Sequence, residues 1–380
     1  MSSARILRLR GFIAQDAGNA DLACELVDAL MEEGDLGAAG DVLSSLPDAS
    51  RAVPGVVFRR ARLGLAQGRY GDAANDCQQL IDAGIDSVAV RHDLAFSRLC
   101  ERQGQSAYDI AQSAAATFGD TVELAMLRAR AALMLESYEL AQSDIEAALT
   151  LDASRADAWG VAALVYLDTG DLPQAKHAAT QALARNDHQH EALMVAGTLA
   201  LWEQRLDEAQ LMFERALERH PNSGRVLSGL GQVLMLHNDL PAAVEVLQRA
   251  VAAMPDHIGT WHALAWALLL QGRTDDAESA YHSAYALDRN FGDTHGGLAL
   301  IAALRGDHTE AEQSAKRALR LDPNALTARY AQSLVLEAQG DRSGADAVIE
   351  ELLSTGPRVT DVPAHEFATR LRAKLQPSTR

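Results

Sequence analysis

The chain has 380 residues, of which 48% are hydrophobic and 5% aromatic, and Ala alone supplies 71 positions. That composition favours closely packed helices over a sandwich or barrel, and the length exceeds what one compact core usually serves. With 34 basic against 52 acidic residues the net charge is -18, which sets long-range electrostatics against docking on nucleic acid or on an anionic membrane.

Cys24, Cys77 and Cys100 are far apart, odd in number and without a CxxC pairing. Neither a disulfide framework nor a zinc site is indicated, and a reducing, cytoplasmic compartment is expected. No stretch reaches the apolar length of a membrane span, and no apolar N-terminal core precedes a cleavage site, so membrane insertion is not expected. Only Lys176, Lys316 and Lys374 are lysine, an Arg and Ala bias of the kind GC-rich bacterial genomes produce.

In chain order, residues 1–19 come first, carrying Arg5, Ile6, Leu7, Arg8, Leu9 and Arg10. This basic, partly amphipathic segment is read as a capping helix over the open end of a helical array, in preference to an interfacial helix or a transit peptide. Asp16 and Asn19 then start the next helix.

From there a lattice of period 34 runs without insertion, with alanine at 39, 73, 107, 141, 175, 209, 243, 277, 311 and 345. Given this Ala content, ten hits in ten arise by chance about twice in a million trials. Twelve residues before each alanine the residue is very small, except at Val27: Ala61, Ala95, Ala129, Ala163, Gly197, Gly231, Ala265, Ala299 and Ser333. Pro221, Pro255, Pro323 and Pro357 recur twelve residues after it, where a helix must stop. Two apolar stripes of helical period, separated by a small or polar break in each unit, describe an antiparallel helix pair whose axes approach closely at the small residues. Residues 20–357 are therefore expected to hold ten such pairs, and 358–380 a C-terminal capping helix and tail.

Trp159, Ala163, Tyr166, Ala175, Ala179 and Ala182, and again Trp261, Leu264, Ala265, Ala277, Tyr281 and Ala284, resemble the signature of the tetratricopeptide repeat. The resemblance implies an all-α, right-handed superhelical α-solenoid whose first helices line a concave groove. The chain departs from the pattern in repeats two to four. Arg60, Arg91, Arg98 and Arg128 stand there where large apolar residues are usual, and Gly64 replaces an aromatic or Leu. Helix geometry is expected to be least regular in that third.

Ten repeats and two end helices consume the chain, and there is no phosphate-binding Gly-rich loop ending in Lys-Ser or Lys-Thr, no G-x-S-x-G elbow and no HExxH helix. No enzyme, cofactor or metal is expected. His188 and His190 are read as part of a solvated turn, and the pairs Asp275–Asp276 and Glu350–Glu351 as acids at helix ends or on outer faces.

What remains is recognition. The family's groove positions place Phe58, Met126, Met194, His262 and Tyr330 at the fifth residue of first helices, Arg62, Phe96, Arg130 and Trp266 at the ninth, and Trp202 at the thirteenth. The Lys and Asn of the carboxylate clamp that some relatives carry are missing from the fifth and ninth positions. The mixture of Met, aromatic and Arg side chains is expected to bind a peptide or helix of a partner protein, with core packing as the competing role of each residue. Residues 50–135 hold ten arginines against nine acids, so Arg62 and Arg130, with Arg59 nearby, are expected to receive an acidic segment. The alternative function is self-association into homo-oligomers through the same repeats.

Overall fold

The computed structural model describes residues 2–354 and Leu375, and among these it contains 22 helices and no strand. Ten helix pairs follow one another in the expected register, as an all-α solenoid of antiparallel pairs. First helices begin at residues 20, 54, 88, 122, 156, 190, 224, 258, 292 and 326, and second helices at 36, 70, 104, 138, 172, 206, 240, 274, 308 and 342. The two remaining elements are the N-terminal helix Ser2–Gln15 and a single turn, Asp48–Arg51. The chain divides into two compact units between Val195 and Ala196.

The ten lattice alanines are all buried, each at the fourth residue of a second helix. The small column twelve residues earlier has a concrete cause in the C-terminal unit. A Cβ on Gly197 would lie 2.7 Å from Phe213 Cε1, and one on Gly231 would lie 2.5 Å from Leu247 Cγ. Phe213 and Leu247 follow a lattice alanine by four residues, so each large side chain of a second helix sits where its own first helix lacks bulk. Across to the following pair the same fit recurs: a Cβ on Gly229 would lie 2.5 Å from Phe213 Cζ, and one on Gly297 2.2 Å from Tyr281. Bulk on one helix against glycine on the next fixes which repeats can be neighbours.

The break between the helices of each pair is one motif used ten times. Residues 34, 68, 102, 136, 170, 204, 238, 272, 306 and 340 all have positive φ. The next residue donates its N–H to the carbonyl five positions back, as from Asp35 to Leu30 at 2.9 Å and from Arg205 to Ala200 at 2.8 Å. This Schellman closure satisfies the last carbonyls of the first helix and reverses the chain. Six of the ten positions are glycine, while Arg102, Glu136, Gln204 and Asn238 adopt the left-handed conformation with a side chain present.

The N-terminal helix buries Ile6 and Leu9 in the core of the first repeat and leaves Leu7 and Phe12 exposed. The expected C-terminal cap at 358–380 lies outside the described residues except for Leu375, which is buried in the core of the C-terminal unit.

Repeats two to four keep unbroken helices despite their arginines, because each arginine finds a carboxylate. Arg60 donates Nε and Nη2 to the two oxygens of Asp76, at 2.8 and 2.5 Å. Arg91 grips Asp86 the same way, and Arg98 donates to Glu101 at 2.8 Å. Arg128, only 4% exposed, donates Nε to Asp144 at 2.7 Å and both terminal nitrogens to Asp120. Arg60–Asp76 and Arg128–Asp144 are equivalent lattice sites; in the repeat between them the same two positions are Leu94 and Ile110, packed in the core. An ion pair and an apolar pair thus occupy one structural slot in successive repeats.

Candidate partner-binding groove

The sites proposed from the sequence fall on the first helices, and their environments separate them into three groups. Met126, Met194 and Tyr330 are each 5% exposed. Their side chains pack between helices and offer almost no surface to a partner. Phe96 and Trp266 are half-buried; the Phe96 ring stacks on His92 at 6.4 Å between centroids, and Trp266 packs against the apolar core of its unit. His262 is held more tightly. Its Nε2 pairs with Thr294 Oγ1 at 2.8 Å, and its ring lies 5.4 Å from both Tyr281 and Phe291. Burial pushes its pKa down to about 4, so it is neutral at neutral pH.

The exposed group consists of Arg62, at 60% of its side chain, and Trp202, at 56%. Trp202 shares the thirteenth position with Leu236, which is also exposed one repeat on, so that edge of the C-terminal unit presents two large apolar side chains.

The three arginines expected to receive an acidic segment differ in what holds them. Arg59 is committed within the chain: its Nη2 donates to Asp28 Oδ2 at 2.8 Å, and its Nε lies 3.2 Å from Asp28 Oδ1. Arg130 donates Nη2 to Glu191 Oε1 at 2.5 Å, two repeats further along. Burial acts to raise the Glu191 carboxyl, but Arg130 and the Gln189 amide outweigh it and hold the group below the usual carboxylate range. Arg62 differs, with Nε 4.0 Å from Asp93 Oδ2 and its guanidinium 6.0 Å above the Phe58 ring. The expectation of three available arginines is therefore corrected to one. The sequence shows the excess of arginine but not carboxylates lying 31 and 61 residues away.

Phe58, Arg59 and Arg62 come together with Asp28, Met31 and Glu32 around a cavity of about 490 Å³ between the first helices of repeats one and two. The last three were not singled out from the sequence, although they occupy the ninth, twelfth and thirteenth positions of the first repeat, the columns that predicted the others. A cavity with an aromatic wall, a thioether and one exposed guanidinium can take a side chain that is apolar along its stem and anionic at its tip.

Among the described residues no group of three or more His, Cys, Asp and Glu could hold a metal ion, and no helix is long and apolar enough to cross a membrane.

A helical-repeat scaffold is the class of protein this architecture defines. Two family profiles, both described as tetratricopeptide repeat, match residues 126–174, 161–209, 200–267 and 262–326, a continuous stretch over more than half of the chain. The chain belongs to the tetratricopeptide repeat family. No curated protein matches it significantly. Among solved structures it is similar to a chain of the APC/C hetero-tetramer Cut9–Hcn1, with a TM-score of 0.69 and 18% identity, over 84% of this chain and 63% of that one. It is also similar to the human IFIT1 dimer with m7Gppp-AAAA, with a TM-score of 0.56 and 14% identity, over 89% of this chain and 90% of that one. At these identities the likeness is one of fold.

Proposed function

We propose that the chain is a non-catalytic adaptor that binds a peptide or helix of a partner protein along the first-helix face, with the cavity of repeats one and two as an anchor point. The observation that carries this reading is the meeting of Phe58, Met31 and the exposed Arg62 around one cavity. An exposed guanidinium beside an aromatic wall is the chemistry of a binding hot spot. The net charge of -18 disfavours the oligonucleotide that the human IFIT1 structure holds and instead leaves Arg62 as a local attraction for an acidic side chain.

The test is capture of partners by the native protein, identified by mass spectrometry, in parallel with Arg62→Glu and with Phe58→Ala. Loss of the same partner, by tenfold or more, in both variants supports the groove. A partner retained equally by wild type and both variants refutes it. Light scattering of the purified chain at several concentrations separates this reading from self-association, which predicts a mass that rises with concentration.

A further inference from the structure

On the opposite side of the same repeat junction lies a second, unrelated cavity. The second helix of repeat one, Leu36–Ser45, has ten residues, whereas every other second helix has 13 to 15. Pro47 ends it early, because proline has no N–H to donate and its ring clashes with the preceding turn. The missing turn leaves a space of about 230 Å³ lined by Gly40, Leu43, Ser44, Val56 and Leu63 together with Arg51, Arg60 and Arg69. Leu43, Val56 and Leu63 are buried and form an apolar floor. Three guanidinium groups and no carboxylate line the same space.

The arginines are only lightly committed. Arg51 holds Asp48 and Arg69 holds Asp72, in both cases across three residues and with both partners largely exposed. Surface pairs of this kind contribute little and exchange readily. Arg60 is fixed by Asp76 through Nε and Nη2, and its Nη1 donates to nothing among the described residues. The surrounding charge is balanced, three arginines against Asp48, Asp72 and Asp76. An incoming monoanion therefore takes the place of an exposed aspartate and adds no surplus charge. The volume lies below the roughly 300–1,000 Å³ of pockets for drug-sized ligands.

We propose that this cavity is a binding site for a small aliphatic carboxylate, whose carbon chain covers Leu43, Val56 and Leu63 while its carboxylate accepts hydrogen bonds from Arg51, Arg60 and Arg69. Planar guanidinium groups match a carboxylate in geometry, and the floor selects a short apolar body over a bare ion. The site is independent of the groove, being built from second-helix and turn residues that the groove does not use.

Calorimetric titration of the full-length protein with isocaproate tests it, with acetate and the alcohol of the same carbon skeleton as comparisons. Saturable one-to-one binding is expected for isocaproate, at least about tenfold weaker for acetate, which lacks the chain, and for the alcohol, which lacks the charge. The double variant Arg51→Gln with Arg69→Gln, both at exposed positions, should keep the helical circular dichroism spectrum and lose binding by tenfold or more, while Arg62→Gln in the groove should change nothing. Absence of saturable isocaproate binding, equal binding of the alcohol, or full affinity in the double variant each overturns the proposal.

Discussion

Replacing Arg128 by Leu removes both charge partners of a nearly buried guanidinium, and the consequence can be worked out from the neighbouring repeat. Asp144 stays behind with its side chain 12% exposed, whereas Asp120 is 33% exposed and can be rehydrated. An uncompensated buried carboxylate costs about 3–5 kcal/mol. At neutral pH it escapes part of that by taking up a proton, which costs about 1.4 kcal/mol for each pH unit above its ordinary pKa near 4, or about 4 kcal/mol at pH 7. Arg128→Leu should therefore lose about 3–4 kcal/mol at pH 7 and recover as the pH falls toward 5, because the folded variant then binds more protons than the unfolded chain. Combining it with Asp144→Ile reproduces the Leu94 and Ile110 of the preceding repeat and should return stability to within about 1 kcal/mol of wild type. Urea denaturation followed by circular dichroism measures the totals, and hydrogen exchange at amides of repeats three and four measures the local effect, which matters because repeat arrays need not unfold in one step. A double variant as unstable as the single one, or a single variant within about 1 kcal/mol of wild type at pH 7, would refute the view that the two pairs are interchangeable occupants of one slot.

Added bulk at the tight junctions should be destabilising: Gly229→Ala against Phe213, Gly297→Ala against Tyr281, and Ala209→Leu or Ala243→Leu on the lattice should each cost about 1–3 kcal/mol, read as a lower melting temperature, and unchanged melting of all four would contradict the packing described. At the turn column, Gly68→Ala and Gly170→Ala should cost about 1 kcal/mol, whereas Arg102→Gly and Gln204→Gly should cost nothing or stabilise slightly, since the native backbone there is already left-handed. Acidification should act in two stages. The neutral form of His262 is the one the fold holds, so its contribution is complete above pH 6.5 and is lost as the pH falls toward about 4, and His262→Gln should flatten stability over that window in denaturant melts. Asp86, Asp120, Glu123 and Asp157, held below their usual range chiefly by hydrogen bonds from arginine, contribute above about pH 4 and lose that contribution below it, where the N-terminal unit should open as followed by hydrogen exchange.

Much of the fold was legible because a tandem repeat writes the same structural requirement ten times. A single alanine says little, but alanine at one phase of a 34-residue period marks the site where two helix axes come closest, and every one of those alanines is buried. The candidate site was less legible. Met126, Met194 and Tyr330 share columns with Phe58 and His262, yet burial differs among them because it depends on which side chains the adjacent helices supply.

The sequence alone determined the number, length and register of the helix pairs, since periodicity and turn chemistry are local properties that repetition amplifies. It also set the charge balance that frames any choice of partner. Only the tertiary structure decided which arginines are free to act. Arg59 meets Asp28 and Arg130 meets Glu191 through the stacking of repeats, while Arg62 is left extended over Phe58 with its guanidinium exposed. Pairing between charges is a matter of distance in space, and in a stacked array residues one and two periods apart become neighbours.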